Sequence, residues 1–148
     1  MFGSKSTVSL LALLVGATFV LVGVLGFVPG VTTHYGDLSF ADHHSDAKLL
    51  GLFQVSVLHN IVHILFGVAG LALWRTASGA RTYLIGGGVI YLLLGLYGAS
   101  VSQHSDANFV PVNGADDVLH LALGAAMVLL GIAGARLIDG VTHRQVTA

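Results

Sequence analysis

Long apolar runs are the feature that most limits the folds open to this chain. They extend over about residues 8–28, 56–74, 83–102 and 113–138. Each is close to the roughly 20 residues that an α-helix needs to cross a bilayer. With 55% hydrophobic and only 9% charged residues, the composition is not that of a soluble domain. The sequence therefore predicts an all-α, transmembrane four-helix bundle that forms a single domain over residues 1–148.

Helix-breaking and polar residues separate the four runs. They are Pro29 with Gly30, the segment 75–81, and Pro111. Longer connections at 29–55 and 103–112 are predicted to be loops at one end of the bundle. The first run lacks an A-x-A cleavage pattern and leads into Pro-Gly, so we expect a retained anchor rather than a removed signal peptide.

The charged residues predict an orientation in the membrane. The cations on one side of the four-span arrangement are Lys5, Arg75, Arg81, Arg136 and Arg144, whereas Asp37, Asp42, Asp46, Asp106, Asp116 and Asp117 lie on the other, with Lys48 as the one cation among them. The positive-inside rule then places both termini in the cytoplasm and the acidic, His-rich loops outside the plasma membrane. Because the cations are scattered singly, nucleic-acid binding is excluded. The absence of cysteine excludes thiolate metal sites and disulfides.

The two halves of the chain resemble each other. HSDA occurs at 44–47 and again at 104–107, and VSVLHNIVHILFG at 55–67 aligns without gaps with VNGADDVLHLALG at 112–124. Upstream, VGVLG at 22–26 matches LGLYG at 94–98. The alignment pairs Gly23 with Gly95, Gly26 with Gly98, Val55 with Val112, His59 with Asp116, Asn60 with Asp117, His63 with His120, and Gly67 with Gly124. A hairpin of two spans used twice gives a parallel repeat, with its pseudo-twofold axis along the membrane normal. If the second and fourth helices adjoin that axis, His63 and His120 meet near the outer third of the bilayer.

The same segments carry a family resemblance. LFQVSVLHNIVHILFG and FVPVNGADDVLHLALG, within four spans of this total length, resemble an uncharacterised family of small four-span membrane proteins common in actinobacteria, a domain of unknown function. The resemblance covers nearly the whole chain. It implies fold and topology but no activity.

Polar residues at the heads of the second and fourth spans form the candidate site. On a helix, His59 and Asn60 share a face with His63, and Asp116 and Asp117 share a face with His120. One interpretation is a structural cluster of Asn60, His63, Asp117 and His120, with hydrogen bonds such as His63 to Asp117 and His120 to Asn60 that fix the register of the two helices. Polar groups within a membrane are generally satisfied by such neighbours.

A second interpretation is a metal site. His59 and His63 have the spacing that lets two imidazoles reach one ion, and His120 with Asp116 or Asp117 would complete a site for zinc, copper or iron. However, Asn113 and Asp116 resemble a capping box at the start of the fourth helix, a use that competes with Asp116 as a ligand. A third interpretation is haem b with His63 and His120 as axial ligands, and Gly67 and Gly124 leaving room for the macrocycle.

The loop residues His34, His43, His44 and His104 among their aspartates suggest a metal-capture or pH-sensing surface, although a solvated loop with helix-capping Asp and Ser is the more ordinary explanation. We therefore expect a non-enzymatic integral membrane protein whose polar cluster organises the bundle. It would act in the lipid bilayer as a homo-oligomer or as an accessory subunit of a larger membrane complex. Metal or haem binding through His59, His63 and His120 is the alternative.

Overall fold

A computed structural model describes residues 6–146, and the side chains as far as residue 134. Within that range the chain is mostly helical. The four helices are α1 (Thr7–Leu25), α2 (Val57–Leu73), α3 (Ala77–Ser100) and α4 (Gly114–Val146). Lys5 and the side chains of Arg136 and Arg144, on which the predicted orientation partly rests, lie outside the described part.

Hydroxyl side chains cap the first three helices. Ser6 Oγ accepts from the Ser9 N–H, Ser56 Oγ from the His59 N–H, and Thr76 Oγ1 from the Gly79 N–H. The Thr76 cap starts α3 at Ala77, six residues before the predicted span. The connection between α2 and α3, predicted at 75–81, is therefore a turn of only three residues, 74–76. Gly79 lies in the first turn of α3, where the Thr76 cap compensates for its low helix propensity.

Three of the helices are long and apolar enough to cross a membrane. They are Thr7–Leu25, Ala77–Ser100 and the Gly114–Gly134 portion of α4. The 17-residue helix α2 is apolar but shorter. Length and composition thus identify a membrane protein. They do not by themselves assign α2 as a membrane-spanning helix.

Each hairpin is held together by glycines that bring two backbones close. A Cβ added at Gly16 on α1 would lie 2.9 Å from the Gly67 carbonyl oxygen on α2. A Cβ added at Gly88 on α3 would lie 2.7 Å from the Gly124 carbonyl oxygen on α4. Such separations leave no room for a side chain, so glycine is needed where the helices cross.

The two hairpins meet through α1 and α3. Phe19 of α1 stacks on Tyr91 of α3, with ring centroids 5.0 Å apart and planes inclined by 18°. The buried core around this pair consists of Val8, Ala12, Phe19, Ala80, Tyr83, Leu84, Tyr91 and Met127. α1 and α3 therefore occupy the centre, and α2 and α4 lie on opposite flanks with at most marginal packing against each other. The condition under which His63 and His120 were expected to meet, namely that α2 and α4 are neighbours at the centre, is not fulfilled, because stacked aromatic rings on α1 and α3 fill the centre.

The loop end of the bundle carries a small antiparallel sheet that the sequence did not predict. Its strands are β1 (Thr32–Thr33), β2 (Lys48–Leu49) and β3 (Phe53–Gln54), in the order β1-β2-β3. The two loops are joined where the Asp42 N–H donates to the Phe109 carbonyl. We call this assembly of residues 26–56 and 101–113 the cap.

Candidate functional site

Three imidazoles gather where α2 and α4 enter the cap. His59 and His63, one turn apart on α2, stack with ring centroids 4.5 Å apart. The ring of His120 on α4 lies 6.1 Å from that of His59. The three histidine rings therefore lie close together, although helices α2 and α4 have at most marginal contact with each other.

Tyr91 contacts both His63 and His120. Its hydroxyl lies 3.1 Å from His63 Nε2, and its ring packs edge-on against His120 at 5.1 Å. His63 Nδ1 lies 3.1 Å from the His59 carbonyl oxygen. Because a carbonyl can only accept, Nδ1 of His63 carries the proton, Nε2 is the acceptor, and the Tyr91 hydroxyl donates to it. This hydrogen bond joins α2 of the first hairpin to α3 of the second.

The second half of the site has the same packing without the hydrogen bond. Phe19 packs edge-on against His63 at 5.7 Å, as Tyr91 does against His120. Phe19 has no hydroxyl to offer His120, whose Nδ1 is buried without a hydrogen-bond partner among the described residues. Nδ1 of His59 is likewise buried without a hydrogen-bond partner among the described residues. Two of the three rings therefore keep an unused polar atom.

The hydrogen bonds expected from His63 to Asp117 and from His120 to Asn60 are not formed. Asn60 packs instead against Gly26, where an added Cβ would lie 2.1 Å from its Oδ1. Asp117 packs against Gly98, where an added Cβ would lie within 1.8 Å of its Oδ1. Each polar side chain points towards the helix of its own hairpin rather than across to the other, and this is why neither meets the opposite histidine.

Asp116 serves as a helix cap. Its Oδ2 accepts from the Asn113 N–H at 2.9 Å, and Asn113 Oδ1 accepts from the Asp116 N–H at 3.1 Å. The predicted capping box is confirmed. The same Oδ2 accepts from the Gln54 N–H at 3.0 Å, and the Asn113 amide donates to the Leu52 carbonyl at 2.8 Å. Asp116 and Asn113 thereby fasten the sheet of the first loop to the start of α4.

Two pockets adjoin the histidine cluster. The smaller, of about 110 Å³, lies among α2, α3 and Val110; the larger, of about 290 Å³, lies beneath the sheet between α1 and α4. The residues that line both are His59, His63, Tyr91 and His120. The polar atoms of the cluster therefore face space that a small molecule can enter.

The cluster is not arranged as a preformed metal site. Among the described residues, the group of three whose ligand atoms all lie within 4.8 Å of one another is Asp42, His43 and His44 of the cap. The set predicted from sequence, namely His59, His63, Asp116, Asp117 and His120, does not close around one point in this way, so metal binding there stays a prediction. The haem alternative with His63 and His120 as axial ligands also stays a prediction, and Tyr91 contacts both of these rings.

Within the cap, the Asp42 carboxylate contacts both the backbone N–H and the ring of His44. Asp42 Oδ1 accepts from the His44 N–H at 2.8 Å and lies 3.0 Å from His44 Nδ1. The backbone hydrogen bond, with smaller contributions from the His44 ring, lowers the pKa of Asp42 below its usual 3.8. The rings of His43 and His44 lie 4.1 Å apart.

Sequence reasoning missed Phe19 and Tyr91, the two aromatic residues that organise the site. A signal was present, since Phe19 and Tyr91 are separated by the same number of residues as Gly23 and Gly95. Extending the repeat alignment towards the start of α1 and α3 would have paired them.

The chain was compared with known proteins. A search of curated proteins and a search of solved structures each returned no match. A family model does match residues 9–133, which is most of the chain. The chain therefore belongs to the family described as a domain of unknown function, DUF4383.

Proposed function

We propose that this chain is a non-enzymatic, four-span integral membrane protein made of two parallel hairpin repeats, whose polar cluster fixes how the hairpins pair. The observation that carries the proposal is the hydrogen bond from the Tyr91 hydroxyl to His63 beside the Phe19–Tyr91 stack. Helices in lipid have little hydrophobic drive to associate, so a directional bond and close packing decide their pairing.

Equivalent contacts in the two halves support the repeat. Gly23 faces Ile64 as Gly95 faces Leu121, and the alignment that pairs Asn60 with Asp117 also pairs Ile64 with Leu121. The contacts of Gly16 with Gly67 and of Gly88 with Gly124 correspond in the same register. Core positions Val8, Ala12 and Phe19 of α1 likewise correspond to Ala80, Leu84 and Tyr91 of α3. A twofold axis through the Phe19–Tyr91 stack accounts for all of these pairs.

The packing of α2 supports the proposal that it also spans the membrane, in addition to the three longer helices. Seventeen residues reach about 26 Å, slightly less than the roughly 30 Å hydrocarbon thickness. Along its length α2 packs antiparallel against α1, from Asn60 beside Gly26 to Leu71 beside Gly16. A helix that follows a full span so closely is accommodated by local thinning of the bilayer, at modest cost.

The proposed topology places both termini in the cytoplasm of the cell and the cap outside. Because the chain has no cysteine, a single substitution provides a unique label. Ser102→Cys in the cap should react with a membrane-impermeant maleimide in intact cells, whereas Ser78→Cys at the opposite end should react only after permeabilisation. The reverse pattern would overturn the orientation.

We place the protein in a homo-oligomer or in a larger membrane complex as an accessory subunit. The support is a set of exposed apolar side chains on the cap, outside the helices: Phe40, Leu50, Leu52 and Phe109. Extraction into native nanodiscs followed by mass measurement tests this. We expect an assembly of more than one chain that is weakened by Phe40→Ser with Phe109→Ser and not by the exposed control His104→Ser. A particle that contains one copy of this chain alone would contradict it.

A further inference from the structure

We propose that the larger pocket binds the head group of a lipid-soluble quinone. The pocket has a volume of about 290 Å³ and is bounded by α1 on one side and α4 on the other, with the sheet above it. The lining residues on which the argument depends are Thr18, Phe19, His59, Tyr91, Leu119 and His120.

We infer that the pocket opens towards the lipid between α1 and α4 as well as towards the cap, where Leu50 lines it and is exposed. Thr18 on α1 and Leu119 on α4 are exposed on the outer faces of membrane-spanning helices and also line the pocket. A ligand can therefore enter sideways from the bilayer and leave an apolar tail between these two helices. This route suits a molecule that resides in the membrane.

The inner wall supplies two ring nitrogens that have no hydrogen-bond partner among the described residues. His59 and His120 are 8% and 4% exposed, and the Nδ1 atom of each is buried and unpaired in the described structure. Buried polar atoms are generally satisfied, so unpaired ones beside a pocket indicate where a ligand would bond. The His59 ring also faces the Pro111 carbonyl, which can only accept, so the one N–H of neutral His59 is used there and its Nδ1 is an acceptor. His120 is therefore the ring that can offer an N–H donor to a quinone carbonyl.

Shape and charge both favour a neutral ring system. An apolar cavity of about 150 Å³ holds benzene, so this pocket has room for one ring or two fused rings. Phe19, Tyr91 and the imidazoles supply aromatic walls for a flat ligand. Of the described residues that line the pocket, none is Lys or Arg and one is Asp116, so a fatty-acid carboxylate would lack a counter-charge.

The proposal does not depend on the assembly state or on the repeat. It is tested with the full-length protein in nanodiscs, using menadione as the quinone and methylnaphthalene as a matched ring system without carbonyls. Calorimetric titration should show menadione binding about two- to tenfold more tightly, which is the effect of one net hydrogen bond. His120→Phe, which keeps a ring and removes the nitrogens, should remove that preference, and Thr18→Trp at the mouth should weaken both ligands.

Tyr83→Phe is the control, because Tyr83 is buried in the core and lines neither pocket. If His120→Phe does not fold, Thr18→Trp decides the question, since Thr18 is exposed. The proposal is overturned if menadione does not bind, if methylnaphthalene binds equally well, or if menadione affinity is unchanged in the variants that fold.

Discussion

The Tyr91 hydroxyl lies 3.1 Å from His63 Nε2 and joins α3 of one hairpin to α2 of the other. Removing it in Tyr91→Phe leaves His63 Nε2 without its donor and keeps the aromatic stack on Phe19. We expect a loss in the free energy of unfolding of about 0.6 kcal/mol, the average for hydrogen bonds between membrane helices. Reversible unfolding in mixed micelles measures it.

Tyr83→Phe is the matched control for this prediction. Tyr83 belongs to the same core, but its hydroxyl is buried without a partner among the described side chains. Its removal should be neutral or slightly stabilising. Equal losses in the two variants would show that the Tyr91 bond contributes nothing specific.

Phe19→Tyr should bring a hydroxyl donor to the His120 ring at Nε2, the atom that corresponds to His63 Nε2 in the proposed repeat. In the proposed repeat Phe19 corresponds to Tyr91 and His120 corresponds to His63, and the larger pocket beside Phe19 has room for a hydroxyl. We expect unchanged or increased stability, and partial recovery of the loss in the Tyr91→Phe background. A loss of more than about 1 kcal/mol, the cost of overpacking, would argue against the proposed equivalence.

Gly88→Ala should weaken the second hairpin, because its methyl group would lie 2.7 Å from the Gly124 carbonyl oxygen and force the backbones apart. Gly86, two residues earlier on the same helix, has open space where a Cβ would be placed. Gly86→Ala should therefore be tolerated. Overpacking of this kind costs about 1–3 kcal/mol, which thermal unfolding of the two variants would resolve.

Protonation of Asp42 should loosen the cap only under acidic conditions. The pKa of Asp42 is lowered in the folded state, so its stabilising contribution is complete above the usual value of 3.8 and is lost as the pH falls through the lowered pKa. Carbon-detected NMR titration should give a midpoint below 3.8. Asp42 has a φ of 71°, and Asn also tolerates this region, so Asp42→Asn removes the charge without adding backbone strain. A midpoint at or above 3.8 would contradict the assigned hydrogen bonds.

The helices could be predicted from sequence because a continuous apolar run of about 20 residues is a local signal. The start of α3 was missed, since a single capping bond at Thr76 outweighs the helix-breaking tendency of Gly79. The small sheet was also missed: two-residue strands carry no alternating pattern, and their position is fixed by the distant Asp116, which bonds the Gln54 N–H.

The candidate site was predicted in part. Helical spacing predicted that His59 and His63 lie together, and the proposed repeat predicted that His120 lies near them; the ring distances of 4.5 Å and 6.1 Å to His59 show the three close together. Their bonding partners depend on which helices are central, and that choice is made by the Phe19–Tyr91 stack rather than by any property of α2 or α4. Asn60 and Asp117 were assigned across the axis because their small glycine partners, Gly26 and Gly98, give no chemical signal of their own.

The most direct test of the central claim is the tautomer of His63 in the folded protein. Nitrogen NMR of histidine-labelled protein in lipid, with the His63 signals assigned from His63→Ala, should show a proton on Nδ1 and an acceptor Nε2 whose shift changes in Tyr91→Phe. A proton on Nε2, or signals that do not respond to Tyr91→Phe, would contradict the account.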